Sequence, residues 1–265
     1  MKILEKIYER LLREADERSN ADLAEKIPAR LEKAGKSGLA LFKGVDTFHK
    51  GAELLVLYSP RAIQNGLAFI DWSLMGDEIN VDVVNYTLEQ ELNKDPLVAV
   101  VAIRPVNTTK YGQCNNAAEV YMSAAKEGYG PFMYDIAMTY AKKSGKNQIT
   151  SDRFSVDPSA ENVWKGMSKR SDVESHPFVD FKNPENKDDP SACKLHAPER
   201  SSLNASYKKK SEINPAVLEK NNEDTIKQLA VSISKETKVG VEEIKMALND
   251  YLQNAAEKFF RGELH

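Results

Sequence analysis

Two glycines separated by one residue, Gly128 and Gly130, stand between a strand-like segment and a helical one. Glycine allows backbone dihedrals and a close approach of other atoms that residues with a Cβ do not. The first turn of a helix has free N–H groups, and the helix dipole favours negative charge there. The pattern therefore indicates a turn that could bind an anion such as a phosphate, although many turns of this kind only connect two elements.

The elements around this turn predict an α/β fold. Alternating apolar residues predict a strand over 116–125, and an apolar stripe with Pro131 in its first turn predicts a helix over 131–144. A short strand is expected at 148–151, followed by a helix that Asp157 caps. The almost wholly apolar run 97–103 is typical of a strand covered on both faces. Further strands are predicted at 38–42, 53–58, 66–74 and 79–84, and a further helix at 87–93.

The order strand, glycine turn, helix, short strand and capped helix over 116–173 resembles the core of the GCN5-related N-acetyltransferases (GNAT). In that family a turn of the pattern Arg/Gln-x-x-Gly-x-Gly/Ala binds the pyrophosphate of acetyl-coenzyme A. Gly128 and Gly130 fall on its two small positions, and Ala125 falls where the family has Arg or Gln. Pro131 also lacks an N–H that could bind phosphate.

A second match with the family lies on the later helix. The family often shows Ala-x-x-aliphatic-Tyr there, and its Tyr is frequently the acid that protonates the leaving thiolate. Here Ala160, Val163 and Trp164 occupy these positions, and an indole N–H is not a usable general acid. The run GYGPFMYDIAM, followed by SDR and A-x-x-VW, also resembles uncharacterised GNAT-like proteins of tailed phages.

The resemblance implies acetyl-coenzyme A as cofactor and an amine as acceptor. It implies that the strand before the turn would hold the pantetheine arm and that the turn would hold the pyrophosphate. Glu119 is the candidate base and Tyr134 the candidate acid, although an ordinary structural role is the alternative for Glu119. The residues expected to bind the cofactor are Val120, Met122, Ala124, Gly128, Tyr129, Gly130 and Phe132.

Four segments are expected along the chain. Residues 1–20 predict an amphipathic helix that packs on its own domain or docks on another protein. Residues 21–175 predict the GNAT-like domain, a mixed central sheet flanked by helices. The Pro-rich stretch 176–213 predicts an irregular segment, in which the basic run at 208–210 is expected to be solvated or, as a minor alternative, to contact phosphate. Residues 214–265 predict a helical hairpin, with Gly240 between its two helices.

Composition narrows the class of function. The formal net charge of −3 gives no basic field for nucleic acid, and no apolar run is long enough to span a membrane. The two cysteines, Cys114 and Cys193, and four scattered histidines predict no metal site, and Cys114 is expected to be a structural or incidental thiol. Few cysteines and no signal peptide favour a reducing compartment, so the protein is expected in the cytoplasm, or in a virion if a phage encodes it.

Two functions remain open from the sequence. The first is an acyltransferase that moves an acetyl or related group from coenzyme A to an amine. The second is a non-catalytic GNAT-like protein with a virion-associated or protein-interaction role, whose partner would bind the N-terminal or C-terminal helices. Ala125 and Trp164 favour the second function, because they stand where the family has functional residues.

Overall fold

The computed structural model describes residues 34–45, 52–75, 79–92, 96–106, 114–126, 128–152, 156–178, 193, 198–211 and 213–262. The strands are β1 (Ala40–Val45), β2 (Glu53–Tyr58), β3 (Leu97–Pro105), β4 (Ala117–Ala125), β5 (Gln148–Ser151), β6 (Val173–Pro177) and β7 (Ala205–Lys209). The α-helices are α1 (Pro60–Leu67), α2 (Val81–Glu91), α3 (Gly130–Lys143), α4 (Pro158–Ser168), α5 (Ala216–Thr237) and α6 (Val241–Phe260). Short 3₁₀ turns span Trp72–Met75, Cys114–Asn116 and Pro198–Leu203. The predicted helix at 1–20 lies outside the described residues.

The fold is α/β, as the sequence predicts, with seven strands in one mixed sheet of order β1-β2-β3-β4-β5-β7-β6. β1 and β2 are antiparallel, as are β2 and β3. β4 and β5 are parallel over Ala117–Val120 and Gln148–Ser151, and the chain connects them through α3. β7 pairs antiparallel with both β5 and β6.

The chain divides into two compact units, which are described separately. The first unit contains Pro105–Tyr121 and Tyr134–Ile213, together with residues 1–32, which are not described. The second unit contains Lys33–Arg104, Met122–Met133 and Asn214–His265. Both β4 and α3 therefore contribute residues to each unit.

In the second unit, the apolar strands form a core that the last two helices cover. The side chains of β2 from Leu54 to Tyr58 are all buried, and β3 is buried over most of its length, as expected for the run 97–103. α5 packs on β1 and on α6, and α6 also packs on α2. The buried face of α6 carries Ile244, Leu248 and Leu252, which recur every four residues and so lie on one side of a helix.

Two strands predicted in this unit are wrong. The segment 66–74 contains the end of α1 and a 3₁₀ turn, and 79–84 contains the start of α2. The cause is capping: the Ala62 N–H donates to Ser59 Oγ at 3.3 Å, ahead of a helix that begins with Pro60. Likewise Asn80 Oδ1 accepts from the N–H groups of Asp82 and Val83. These caps satisfy the first N–H groups of each helix, and this local chemistry outweighs the apolar alternation.

The predicted irregular segment 176–213 is also wrong in its described part, because β6 ends in it at Pro177 and β7 lies wholly within it. Tyr207 of β7 is fully buried and its hydroxyl donates to the Ser202 carbonyl at 2.6 Å. Lys209, in the run expected to be solvated, is buried as well. Among the helices that the structure describes, none combines the length and apolarity needed to cross a membrane.

Candidate functional site: the turn between β4 and α3

The turn after β4 is built by two backbone hydrogen bonds within the second unit. The Lys126 N–H donates to the Val98 carbonyl at 2.9 Å, which holds the end of β4 beside the start of β3. The Tyr129 N–H then donates to the Lys126 carbonyl at 3.1 Å, and α3 begins at Gly130. Gly128 lies at φ +82°, a left-handed conformation that strongly favours glycine. Gly128 therefore sets the path of the chain into the helix.

The first turn of α3 presents N–H groups that the helix itself cannot use. The first N–H to bond within this turn is that of Met133, which donates to the Tyr129 carbonyl at 3.0 Å. Pro131 has no N–H, which leaves the N–H groups of Gly130 and Phe132 as the donors of this turn. No hydrogen bond from either donor to another described residue is found. Two N–H groups at the positive end of a helix dipole can bind an anion.

Space is open beside both glycines. A Cβ built on Gly128 or on Gly130 would meet no atom within 4 Å. Gly130 does not have a positive φ, so its backbone conformation is one that other residues adopt freely. Phe132 is fully buried, its backbone included, whereas Tyr129 and Gly130 are partly exposed. The local geometry thus leaves room next to Gly130, and of the two donors only its N–H lies on a partly exposed residue.

The strand residues expected to bind the cofactor differ in exposure. In the second unit, Met122 and Ala124 of β4 are partly exposed. In the first unit, Val120 is buried and pairs with Ser151 of β5. The register between β4 and β5 covers only the first four residues of β4, so the strand continues for five residues beyond it.

Both candidate catalytic residues are interior side chains of the first unit. Glu119 is buried on β4 opposite Thr150 of β5, and Tyr134 is buried on α3. The Tyr134 ring meets the edge of Trp164 with ring centroids 4.9 Å apart, and Trp164 lies 5.5 Å from the ring of Tyr207. Trp164 is only 1% exposed. The Trp164 indole is therefore a core residue between two other rings.

A buried group of four charged residues in the first unit was not predicted from the sequence. Asp135 of α3, Arg170 and Asp172 between α4 and β6, and Lys209 of β7 form this ionic cluster. Arg170 donates to both oxygens of Asp135, at 2.8 and 2.9 Å, and to both oxygens of Asp172, at 2.8 and 2.9 Å. Lys209 Nζ lies 3.0 Å from Asp135 Oδ2 and contacts Asp172 as well.

Within the ionic cluster, charge pairing shifts the pKa values of Asp172 and Arg170 more than burial does. Burial alone would raise the pKa of Asp172, but hydrogen bonds and charge from Arg170 and Lys209 hold that pKa well below its usual range. Burial alone would lower the pKa of Arg170, and the two carboxylates raise it above its usual value. Arg170 and Asp172 thus stay charged. The local signal of this cluster in the sequence is Asp135, the one charged residue of α3 before its last two lysines.

The prediction that Cys114 is a structural or incidental thiol needs a correction. Cys114 and Cys193 form a disulfide, so neither is a free thiol. Their bond cannot be inferred from the sequence, since 79 positions separate them. Cys193 is therefore not available to the C-x-x-H pair that it forms with His196 in the sequence. Within the described part of the chain, no group of three or more His, Cys, Asp and Glu side chains could hold a metal ion.

Comparisons of the chain with family models, with curated proteins and with solved structures found no match. The function is therefore inferred from the local geometry and from the sequence pattern. The feature with the clearest chemical use is the start of α3, where the N–H group of the partly exposed Gly130 lies beside open space.

Proposed function

We propose that this chain contains a GNAT-like acyltransferase domain, which binds an acyl-coenzyme A at the turn between β4 and α3 and transfers the acyl group to an amine. The observation that carries the proposal is the start of α3. Gly128 turns the chain at φ +82°, the N–H group of the partly exposed Gly130 is a donor, and no atom lies within 4 Å of a Cβ at either glycine. Such a turn fits the pyrophosphate of coenzyme A.

The sheet supports the proposal at a coarser level. A mixed α/β sheet with a parallel pair, β4 and β5, joined through a helix is the layout expected for a GNAT-like core. The β4 segment Val120–Ala124 leads into the turn, and in this proposal its backbone would bind the pantetheine arm and polarise the thioester carbonyl. Coenzyme A would supply the activated acyl group, and the chain would orient it.

The transfer itself needs two proton movements. The amine attacks the thioester carbonyl and must lose a proton, and the departing thiolate must gain one. Glu119 is the proposed base and Tyr134 the proposed acid; both are buried, so protons would reach them through water or through a shift of the surrounding side chains.

The second candidate function, a non-catalytic GNAT-like protein, rests on Trp164. This residue fills the position of the usual acid and is enclosed by Tyr134 and Tyr207. A core indole cannot donate a proton to a thiolate. In this alternative the turn binds a coenzyme A thioester without turnover, or the domain serves only as a scaffold for protein contacts.

Calorimetric titration with acetyl-coenzyme A tests the turn. We expect binding in the micromolar range, about −8 kcal/mol. Gly130→Val should abolish binding without unfolding the protein, because its side chain would enter the open space beside the N–H donors. Ala125→Arg, which restores the residue type of the family, should tighten binding, and Ala68→Arg at the end of α1 adds the same charge as a matched control. No binding at millimolar ligand would overturn the proposal.

A second experiment separates the enzyme from the binding protein. The release of free coenzyme A from acetyl-coenzyme A is followed with a thiol-reactive dye in the presence of a panel of amines, peptides and polyamines. Release that depends on an amine, and that Gly130→Val removes, supports acyl transfer. Binding without release for every amine supports the non-catalytic alternative.

A further inference from the structure

The disulfide between Cys114 and Cys193 fastens the start of β4 within the first unit. Both residues are 3% exposed and form one apolar cluster with Val106 and Phe178. The chain has no other cysteine, so no third thiol can exchange with this pair. The two cysteines therefore have only two intramolecular states, bonded or both reduced.

The backbone next to this bond is held in an unfavourable conformation. Cys114 lies at φ +43° and Asn116 at φ +56°, both in the left-handed region. Asparagine tolerates this region, but for cysteine it is uncommon and costs free energy. Asn116 is secured by its side chain, which donates to the Gly145 carbonyl at 3.3 Å and accepts from Lys146 Nζ at 3.1 Å. Cys114 is secured from the other side by its bond to Cys193.

A disulfide whose native geometry keeps the backbone strained is more easily reduced than a relaxed one. We propose that the Cys114–Cys193 disulfide is a redox-sensitive bond that anchors the start of β4. It forms in oxidising surroundings and is reduced by small thiols of the glutathione class. Opening lets Cys114 leave the left-handed region and loosens the start of β4. This inference is independent of the proposed acyl transfer.

The chemistry balances with two equivalents of a small thiol. A thiolate attacks one sulfur of the disulfide, the S–S bond breaks, and the departing cysteine sulfur takes up a proton. A second small thiol attacks the resulting mixed disulfide and releases the second cysteine. The products are two protein thiols and one small-molecule disulfide, so the protein is reduced and the small thiol oxidised. The reverse reaction, with the oxidised small molecule, closes the bond.

The effect of opening should be local to β4 and β5. Asn116 immediately precedes Ala117, and Ala117–Val120 pair with Gln148–Ser151. Without the covalent bond, the turn that leads into this ladder keeps the Asn116 hydrogen bonds and the apolar packing of Cys114 but loses its one covalent link to Cys193. Amide hydrogen exchange of Ala117–Val120 should therefore become faster on reduction, by about tenfold or more if local opening is eased.

The first test sets the redox state of the full-length protein with mixtures of reduced and oxidised glutathione. The bonded fraction is read by alkylation with a heavy maleimide and gel shift, and circular dichroism follows the fold. We expect the bond to open in a large excess of reduced glutathione while the protein stays folded, and to close again in oxidised glutathione. A bond that persists until a strong dithiol is combined with denaturant would overturn the proposal and make this disulfide a permanent staple.

The second test measures hydrogen exchange by mass spectrometry on the oxidised protein, the reduced protein and the double variant Cys114→Ser with Cys193→Ser. Peptides over 117–120 should exchange faster in both the reduced protein and the variant, whereas peptides in α5 and α6 of the second unit serve as internal controls. Unchanged exchange over 117–120 in a reduced, folded protein would refute the loosening of β4.

Discussion

The ionic cluster of the first unit makes its lysine far more important to stability than an ordinary surface lysine. Lys209→Met removes one of its two cations and leaves Asp135 and Asp172 with Arg170 alone. The matched control is Lys165→Met, which breaks the Lys165–Glu161 pair on α4. Both substitutions remove one positive charge next to a carboxylate. The Lys209 Nζ lies 3.0 Å from an Asp135 oxygen, and the Lys165 Nζ lies 2.8 Å from a Glu161 oxygen.

Burial decides the difference between the two variants. The Lys209 side chain is 6% exposed and Asp135 is fully enclosed, whereas the Lys165 side chain is 52% exposed. Breaking a buried pair leaves an uncompensated charge and costs about 3–5 kcal/mol. Lys165 is half exposed, and Glu161 keeps a second partner in Arg200, so the loss of Lys165 should cost little. We therefore expect Lys209→Met to lower the free energy of unfolding several times more than Lys165→Met.

Urea unfolding followed by tryptophan fluorescence can measure this in the first unit alone. The chain has two tryptophans, Trp164 in the first unit and Trp72 in the second. On a Trp72→Phe background, the fluorescence of the buried Trp164 reports the first unit. With a urea m-value of about 2.5 kcal/mol/M, a loss of about 3–5 kcal/mol lowers the unfolding midpoint by about 1–2 M.

The comparison of midpoints is the decisive result. Equal and small losses for Lys209→Met and Lys165→Met would refute the view that the ionic cluster is a buried, mutually dependent unit. A large loss for both would instead mean that the exposure of the lysine does not decide what its ion pair contributes to stability. A large loss for Lys209→Met alone supports the reasoning.

Three further predictions follow from the same contacts. The folded-state pKa of Asp172 lies below its ordinary value of 3.8, so the stability that Asp172 contributes is present above pH 3.8 and is lost as the pH falls further. Asp172→Asn should therefore flatten the acid side of the curve of unfolding free energy against pH, measured by urea unfolding. A disulfide that closes a loop across a sequence separation of 79 adds about 4.5 kcal/mol to the free energy of unfolding. Without the bond the Cys114 backbone can relax, which recovers part of this amount, so Cys193→Ser should lower the free energy of unfolding by about 3 kcal/mol in urea under oxidising conditions. Gly128→Ala should lose about 1–2 kcal/mol because its φ is +82°, whereas Gly130→Ala should change the thermal midpoint little.

Periodicity and turn residues predict the elements around the candidate site well. The strand ending at Ala125 and the helix that begins beside Pro131 are both found, because each has its own local signals: alternation in the strand, and a proline in the first turn of the helix. Where two local signals compete, the apolar pattern misleads. Asn80 caps α2 through its side chain, and the alternation that follows it belongs to a helix.

Long-range contacts could not be predicted from one sequence, for a physical reason. The partners of Asp135 lie 35 residues or more further along the chain, and the charge of an isolated residue does not indicate what surrounds it after folding. The same holds for Cys114, whose partner is fixed only when β4 and the segment at Cys193 meet. Lys209 was expected in water because its neighbours in sequence are lysines, yet strand geometry turns alternate residues of β7 to opposite faces.

The same separation between local and long-range information divides the candidate site itself. The turn at Gly128 and Gly130 is made by neighbouring residues, so its backbone geometry is one that the sequence predicts. Acid–base chemistry depends instead on which side chains reach the reacting atoms after folding. In the first unit Trp164 packs between Tyr134 and Tyr207, and no local pattern in the sequence indicates these contacts. A backbone donor can therefore be proposed from a local pattern, whereas the surroundings of a side chain that would move a proton are known only from the folded structure.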